Sequence, residues 1–165
     1  MTFPDFEEFI ASLNAHRVRY LVVGGYAVGF HAKPRATKDI DILIDRSPAN
    51  ARRTLAAIQA FLGSKTPGIT LGKLTSPRTL IVLGIAPVRI DILTGIDGVP
   101  SFASAWRGRA TGSYGTTRTE FLGLRDLVAA KKAAGRLQDL ADVQTLERAR
   151  PRRVFPRARK SPAKR

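Results

Sequence analysis

Residues 20–44 read YLVVGGYAVGFHAKPRATKDIDILI, and the fold turns on how that stretch is parsed. Tyr20–Val23 is a short apolar run broken by Gly24-Gly25, and after thirteen intervening residues Asp39-Ile40-Asp41-Ile42 alternates charge with branched apolar side chains. Period-2 alternation predicts a strand over Lys38–Ile44, with Ile40, Ile42 and Ile44 on one face and Asp39 and Asp41 on the other. Two carboxylates on one face repel, and each raises the other's pKa unless a cation lies between them. Hard oxygens held in this way suit Mg²⁺, which is usually bound by one or two carboxylates plus the phosphates of a substrate. A turn at Gly24-Gly25, lacking Cβ atoms, lets backbone N–H groups approach an anion closely. A metal–triphosphate site is therefore the leading expectation. The plainer alternative makes Asp39 and Asp41 the solvated face of an edge strand.

Around this stretch, Thr2, Pro4 and Asp5 resemble a helix start, and Phe6, Phe9, Ile10 and Leu13 recur at helical spacing to about Arg17. Tyr20–Val23 reads as a buried strand and Tyr26–His31 as a short helix. Ser47-Pro48 supplies an N-cap and first-turn pair for a helix that runs to Leu62 and stops at Gly63. Residues 64–78 predict turns around one weak strand, Ile69–Leu74. Thr79–Ile85 and Val88–Thr94 predict a hairpin across Ala86-Pro87, with Arg89, Asp91 and Leu93 sharing a face. Gly95–Gly123 reads as irregular, apart from a short helix at Phe102–Trp106. Leu124–Ala134 and Leu137–Arg148 predict two helices hinged at Gly135. The expected fold class is α/β (α+β): a mixed sheet flanked by helices, in one domain over residues 1–149, followed by a disordered basic tail over 150–165.

Composition narrows the chemistry. The 165 residues include no cysteine, so disulfides, zinc–thiolate sites and a cysteine nucleophile are excluded. Two histidines, His16 and His31, are too few for a histidine-built metal centre. The most apolar stretch, Tyr20–Ala32, is too short to span a bilayer, and the acidic start (Asp5, Glu7, Glu8) lacks the plan of a signal peptide, so a cytoplasmic protein with no membrane partner is expected. The net charge is +15, and nine basic residues with no acidic one fall between Arg148 and Arg165, which leaves residues 1–147 at +6. Such a tail is either a solubilising end or a grip on an RNA backbone through counterion release.

Asp39, Asp41 and Asp91 lie on strands that can neighbour one another, and such a trio can hold two Mg²⁺ ions that clamp an in-line displacement. A Gly-Gly turn, a short helix, Asp-hydrophobic-Asp and a later strand carboxylate within Arg89-Ile90-Asp91-Ile92-Leu93 resemble the DNA polymerase β-like nucleotidyltransferase superfamily. The resemblance spans about residues 18–147. It is closer to small stand-alone nucleotidyltransferases related to the toxins of type IV toxin–antitoxin systems. That branch's pattern is matched by Gly24-Gly25, His31, Arg35-Ala36-Thr37-Lys38-Asp39-Ile40-Asp41, and Lys131 followed by Gly135-Arg136-Leu137-Gln138-Asp139. The chain departs from it at Gly25, where many relatives carry Ser, and at Ala32, where the branch often has Gly.

The resemblance implies a Mg²⁺-dependent (or Mn²⁺-dependent) enzyme that transfers a nucleoside monophosphate from an NTP to a hydroxyl, with release of pyrophosphate. Asp39, Asp41 and Asp91 would be the metal ligands and catalytic carboxylates, Asp91 doubling as general base. Gly24, Gly25, Arg35, Thr37, Lys38 and Lys131 would steady the triphosphate. Arg136 and Asp139, three apart, are expected to pair on the helix surface, and Trp106 and Phe102 to pack in the core. The implied acceptor is RNA, tRNA included, or a protein, and the implied partner is an antitoxin-type protein. The alternative is a non-catalytic RNA-binding or partner-regulated module on the same fold.

Overall fold

The computed structural model describes residues 2–63, 66 and 68–149. Its elements in chain order are α1 (Pro4–Ala15), β1 (Tyr20–Val23), α2 (Gly24–His31), β2 (Asp39–Ile44), α3 (Pro48–Leu62), α4 (Leu71–Thr75), β3 (Leu80–Ile85), β4 (Val88–Leu93), α5 (Phe102–Arg107), β5 (Ala110–Tyr114), β6 (Thr117–Phe121), α6 (Leu124–Ala134) and α7 (Leu137–Arg148). The six strands form one mixed sheet in the order β3-β4-β2-β1-β6-β5. At its centre β1 and β2 are antiparallel; β2 runs parallel to β4, and β1 runs parallel to β6. The fold class is thus the expected α+β arrangement, with two C-terminal helices. No helix among the described residues is long and apolar enough to cross a membrane.

The apolar pattern decides which face is covered. Ile40, Ile42 and Ile44 of β2 are buried, as are Phe6, Phe9, Ile10 and Leu13 of α1 and Ala51, Ala57 and Ile58 of α3. Each large side chain removed from water in this way contributes about 1.5–3 kcal/mol. The odd-numbered residues of β2 project to the other face, so Asp39 and Asp41 are left for the cleft. Ser47 precedes α3 as expected, but its hydroxyl donates to Asp45 at 3.1 Å rather than capping the helix.

Two expectations are corrected. The stretch Ile69–Leu74 is not a strand: Thr70 caps the five-residue helix α4, its Oγ1 accepting from the Lys73 N–H at 3.2 Å, and Leu74 is buried. Gly95–Gly123 is not irregular: it contains the β5–β6 hairpin, and β6 joins the sheet beside β1. A turn at Gly115-Thr116 closes the hairpin with Gly115 at φ +57°. The Glu7 carboxylate of α1 accepts from the Thr116 N–H at 2.7 Å and from the Thr116 hydroxyl at 2.8 Å, which ties the hairpin to the first helix. The expected disordered tail, residues 150–165, lies outside the described residues.

Candidate active site

The register of the central strands assembles the site. Val23, the last residue of β1, pairs with Asp41, and Asp41 pairs on its other side with Asp91 of β4. One rung therefore carries the chain from the Gly24 turn to both carboxylates, while Asp39 and Arg89 form the next rung on the same face, two positions along. Gly24 adopts φ +61°, and a Cβ there would overlap the Asp41 carboxylate. Gly25 opens the first turn of α2 against the following loop, and a Cβ on it would lie 3.1 Å from the Thr37 hydroxyl and 3.2 Å from an Arg35 guanidinium nitrogen. The Gly-Gly turn and the Arg35–Thr37 loop are thus brought together. Thr37 donates its hydroxyl to the Asp39 carbonyl at 3.2 Å. Lys38 is exposed and makes no ion pair among the described residues.

The electrostatics are uneven. Burial pushes the Asp41 carboxyl up to about 6, the charges of Asp91 and Asp39 add to the rise, and Lys131 and Arg136 oppose it. Asp91 differs: Arg89 donates to both of its oxygens, at 2.7 and 2.8 Å. Among the described residues no three carboxylate or histidine side chains are gathered at metal-ligand spacing, and that grip leaves Asp91 without an idle oxygen. Asp39 and Asp41, whose side chains no arginine or lysine grips among the described residues, are the donors that fit a hard divalent cation as they stand.

Behind the cleft lies an ion network that joins α6 and α7 to the loop before β2. Lys131, with its side chain 9% exposed, pairs with Asp139 at 2.9 Å and with Asp142 at 3.0 Å. Arg136 donates to Asp139 at 2.7 Å, and Arg35 donates to Asp142 at 3.2 Å. Burial works to raise the Asp139 carboxyl, but hydrogen bonds from Arg136 and Lys131 outweigh it and hold the group below its usual range. The Arg35 Nε is buried without a hydrogen bond, since the nearest Asp142 oxygen, at 3.2 Å, is not aligned to accept one. Arg136 and Asp139 do pair as expected, though Asp139 is buried rather than on the surface.

Gly24, Gly25, Arg35, Thr37, Asp39, Asp41, Asp91 and Lys131 all line one cleft of about 690 Å³. The residues expected to hold metal or triphosphate converge there, apart from Lys38, which is not among the lining residues. The structure adds Arg89, Arg78, Asp97 and Gln138 to its walls. Arg89 could have been found by period 2, since it shares the Asp91 face; Arg78 and Asp97 pair across loops that carry no periodic signal. His31 is bonded through Nε2 to the Leu122 carbonyl at 2.7 Å and is not among the cleft residues. Trp106 stacks with Phe102 and packs under the Arg109 guanidinium at 4.0 Å, also outside the cleft.

A family model described as "Nucleotidyltransferase of unknown function (DUF6036)" matches residues 3–148 of this chain. No curated protein matches it.

Proposed function

Because the chain belongs to that family of nucleotidyltransferases, enzymes that transfer phosphorus-containing groups, we propose that it moves a nucleoside monophosphate from an NTP to a hydroxyl acceptor and releases pyrophosphate. The observation that carries this reading is the rung Val23–Asp41–Asp91, which sets the two carboxylates side by side next to the Gly24 turn, with the Asp41 carboxyl raised to about 6 by burial and by its acidic neighbours. Asp39, Asp41 and Asp91 are the residues that would hold Mg²⁺, with Mn²⁺ as the alternative and two ions in the polymerase β-like arrangement. A bound ion supplies neutralisation of phosphate charge and a more acidic acceptor hydroxyl.

The rest belongs to the chain's own side chains. The backbone at Gly24-Gly25, the Arg35 guanidinium, Thr37, Lys38 and Lys131 steady the triphosphate. The acceptor oxygen bonds the α-phosphorus, the bond from that phosphorus to the pyrophosphate oxygen breaks, and the hydroxyl proton passes to Asp91. For that, Arg89 must turn away from Asp91, which its 38% exposed side chain permits. Catalysis on this plan is positioning and charge stabilisation. The basic tail favours RNA, tRNA included, as acceptor over a protein hydroxyl, and an antitoxin-type protein as regulator follows from the toxin-like pattern of motifs.

The test is label transfer from each of four α-labelled NTPs with Mg²⁺, with and without total cellular RNA, alongside Asp41→Asn. Label on RNA that vanishes in the variant supports the proposal and names the nucleotide. Label on protein moves the acceptor to a side-chain hydroxyl, and label that survives Asp41→Asn overturns the assignment of the site.

A further inference from the structure

A second cavity, of about 720 Å³, lies on the other side of the Arg35–Thr37 loop and shares Gly25, Arg35 and Thr37 with the carboxylate cleft. Its chemistry is the opposite of the cleft's. Tyr26, Phe30, Tyr114 and Phe121 wall it, Arg35 and Lys38 stand at its lip, and no acidic residue lines it. The aromatic rings pack on one another. Phe30 stacks on Phe121 with centroids 4.1 Å apart and planes within 3°, while Tyr26 meets Tyr114 edge-on at 5.3 Å. Gly112 lies under the Phe30 ring, where a Cβ would overlap it. Burial, the Tyr114 hydroxyl and then the Asp39 charge raise the Tyr26 phenol above its usual range, so this wall is within electrostatic reach of the cleft.

We propose that this pocket receives the nucleobase of the donor NTP, whose phosphates lie on the shared Gly25–Arg35–Thr37 partition. The inference rests on the NTP reading above and deepens it by giving the base a site. A flat apolar ring fits aromatic walls, and a cationic lip free of carboxylates complements the phosphate end of the same molecule. Such a site reads a π-face rather than a hydrogen-bonding edge, so it accepts all four bases and favours the larger purines.

Calorimetric titration of the full chain, with Mg²⁺ present, tests this by comparing the four NTPs with inorganic tripolyphosphate, which carries no base. Two variants separate the pocket from the fold. Phe30→Leu keeps most of the side-chain volume and removes the stacking face. Tyr26→Leu does the same at the neighbouring part of the wall. The expected result is NTP affinity well above that of tripolyphosphate, reduced about tenfold or more in both variants, with tripolyphosphate binding unchanged. NTP binding that neither variant weakens, or that equals tripolyphosphate binding in the wild type, overturns the pocket and leaves the carboxylate site standing. Failure of the wild type to bind any NTP overturns both readings.

Discussion

Asp41 is the residue at which stability and chemistry pull apart. Its carboxyl sits at about 6 against an ordinary 3.8, so the folded chain binds that proton more tightly than the unfolded chain does. The charged form therefore costs stability, in full above about pH 6 and not at all below about pH 4. Asp41→Asn should raise the metal-free protein's stability by about 2–3 kcal/mol at pH 8, with the gain shrinking between pH 6 and 4. Melting curves in a chelator at both pH values check the sign, and a variant less stable at pH 8 would refute it. Arg89 makes the complementary case. Arg89→Gln frees both Asp91 oxygens, and Mn²⁺ affinity read by electron paramagnetic resonance should rise about tenfold, the worth of a charge-assisted pair. At this scale Asp39, Asp41 and Asp91 were legible because period 2 fixes which side chains share a face. The grip of Arg89 on Asp91 was not, since sequence alone does not say which acid an arginine takes.

Among the elements, those with long periodic patterns were the readable ones. α1, β2, α3, the β3–β4 hairpin and the two last helices stand close to where hydrophobic spacing placed them. The β5–β6 hairpin escaped because its residues, ATGSY and TRTEF, alternate weakly and owe their strand state to β1 and to the Glu7 clasp. α4 escaped because five residues are too few for helical period to show. The hold of α7 on the body predicts a measurable cost. Lys131→Met leaves Asp139 and Asp142 buried with Arg136 and Arg35 as their cationic partners among the described residues, and should cost about 3 kcal/mol, the low end for breaking a buried pair. Urea unfolding measures it. Unchanged stability with abolished NTP binding would instead make Lys131 chiefly a triphosphate ligand.

For the molecule as a whole, charge divides the labour. Residues 150–165 contribute eight of the 28 basic residues and no acidic one, while the cleft sets five acidic side chains against five basic ones. Deleting 150–165 should weaken RNA binding and flatten its salt dependence by about 0.7 in slope for each phosphate that the tail neutralises, with NTP binding unchanged. Unaltered affinity and slope would make the tail a solubiliser. The overall α+β plan was legible because one motif pinned the sheet's centre; the joining of the last helix to the loop before β2 was not, because it rests on pairs remote in sequence. Arg35 meets Asp142 across 107 positions of chain. Synthesis runs from the N-terminus, so Arg35, Asp39 and Asp41 are made long before Asp142, the anchor for Arg35. A chain whose synthesis has not yet reached α7 therefore holds that guanidinium unseated, and ordering of the loop before β2 is expected to wait until α7 has been made.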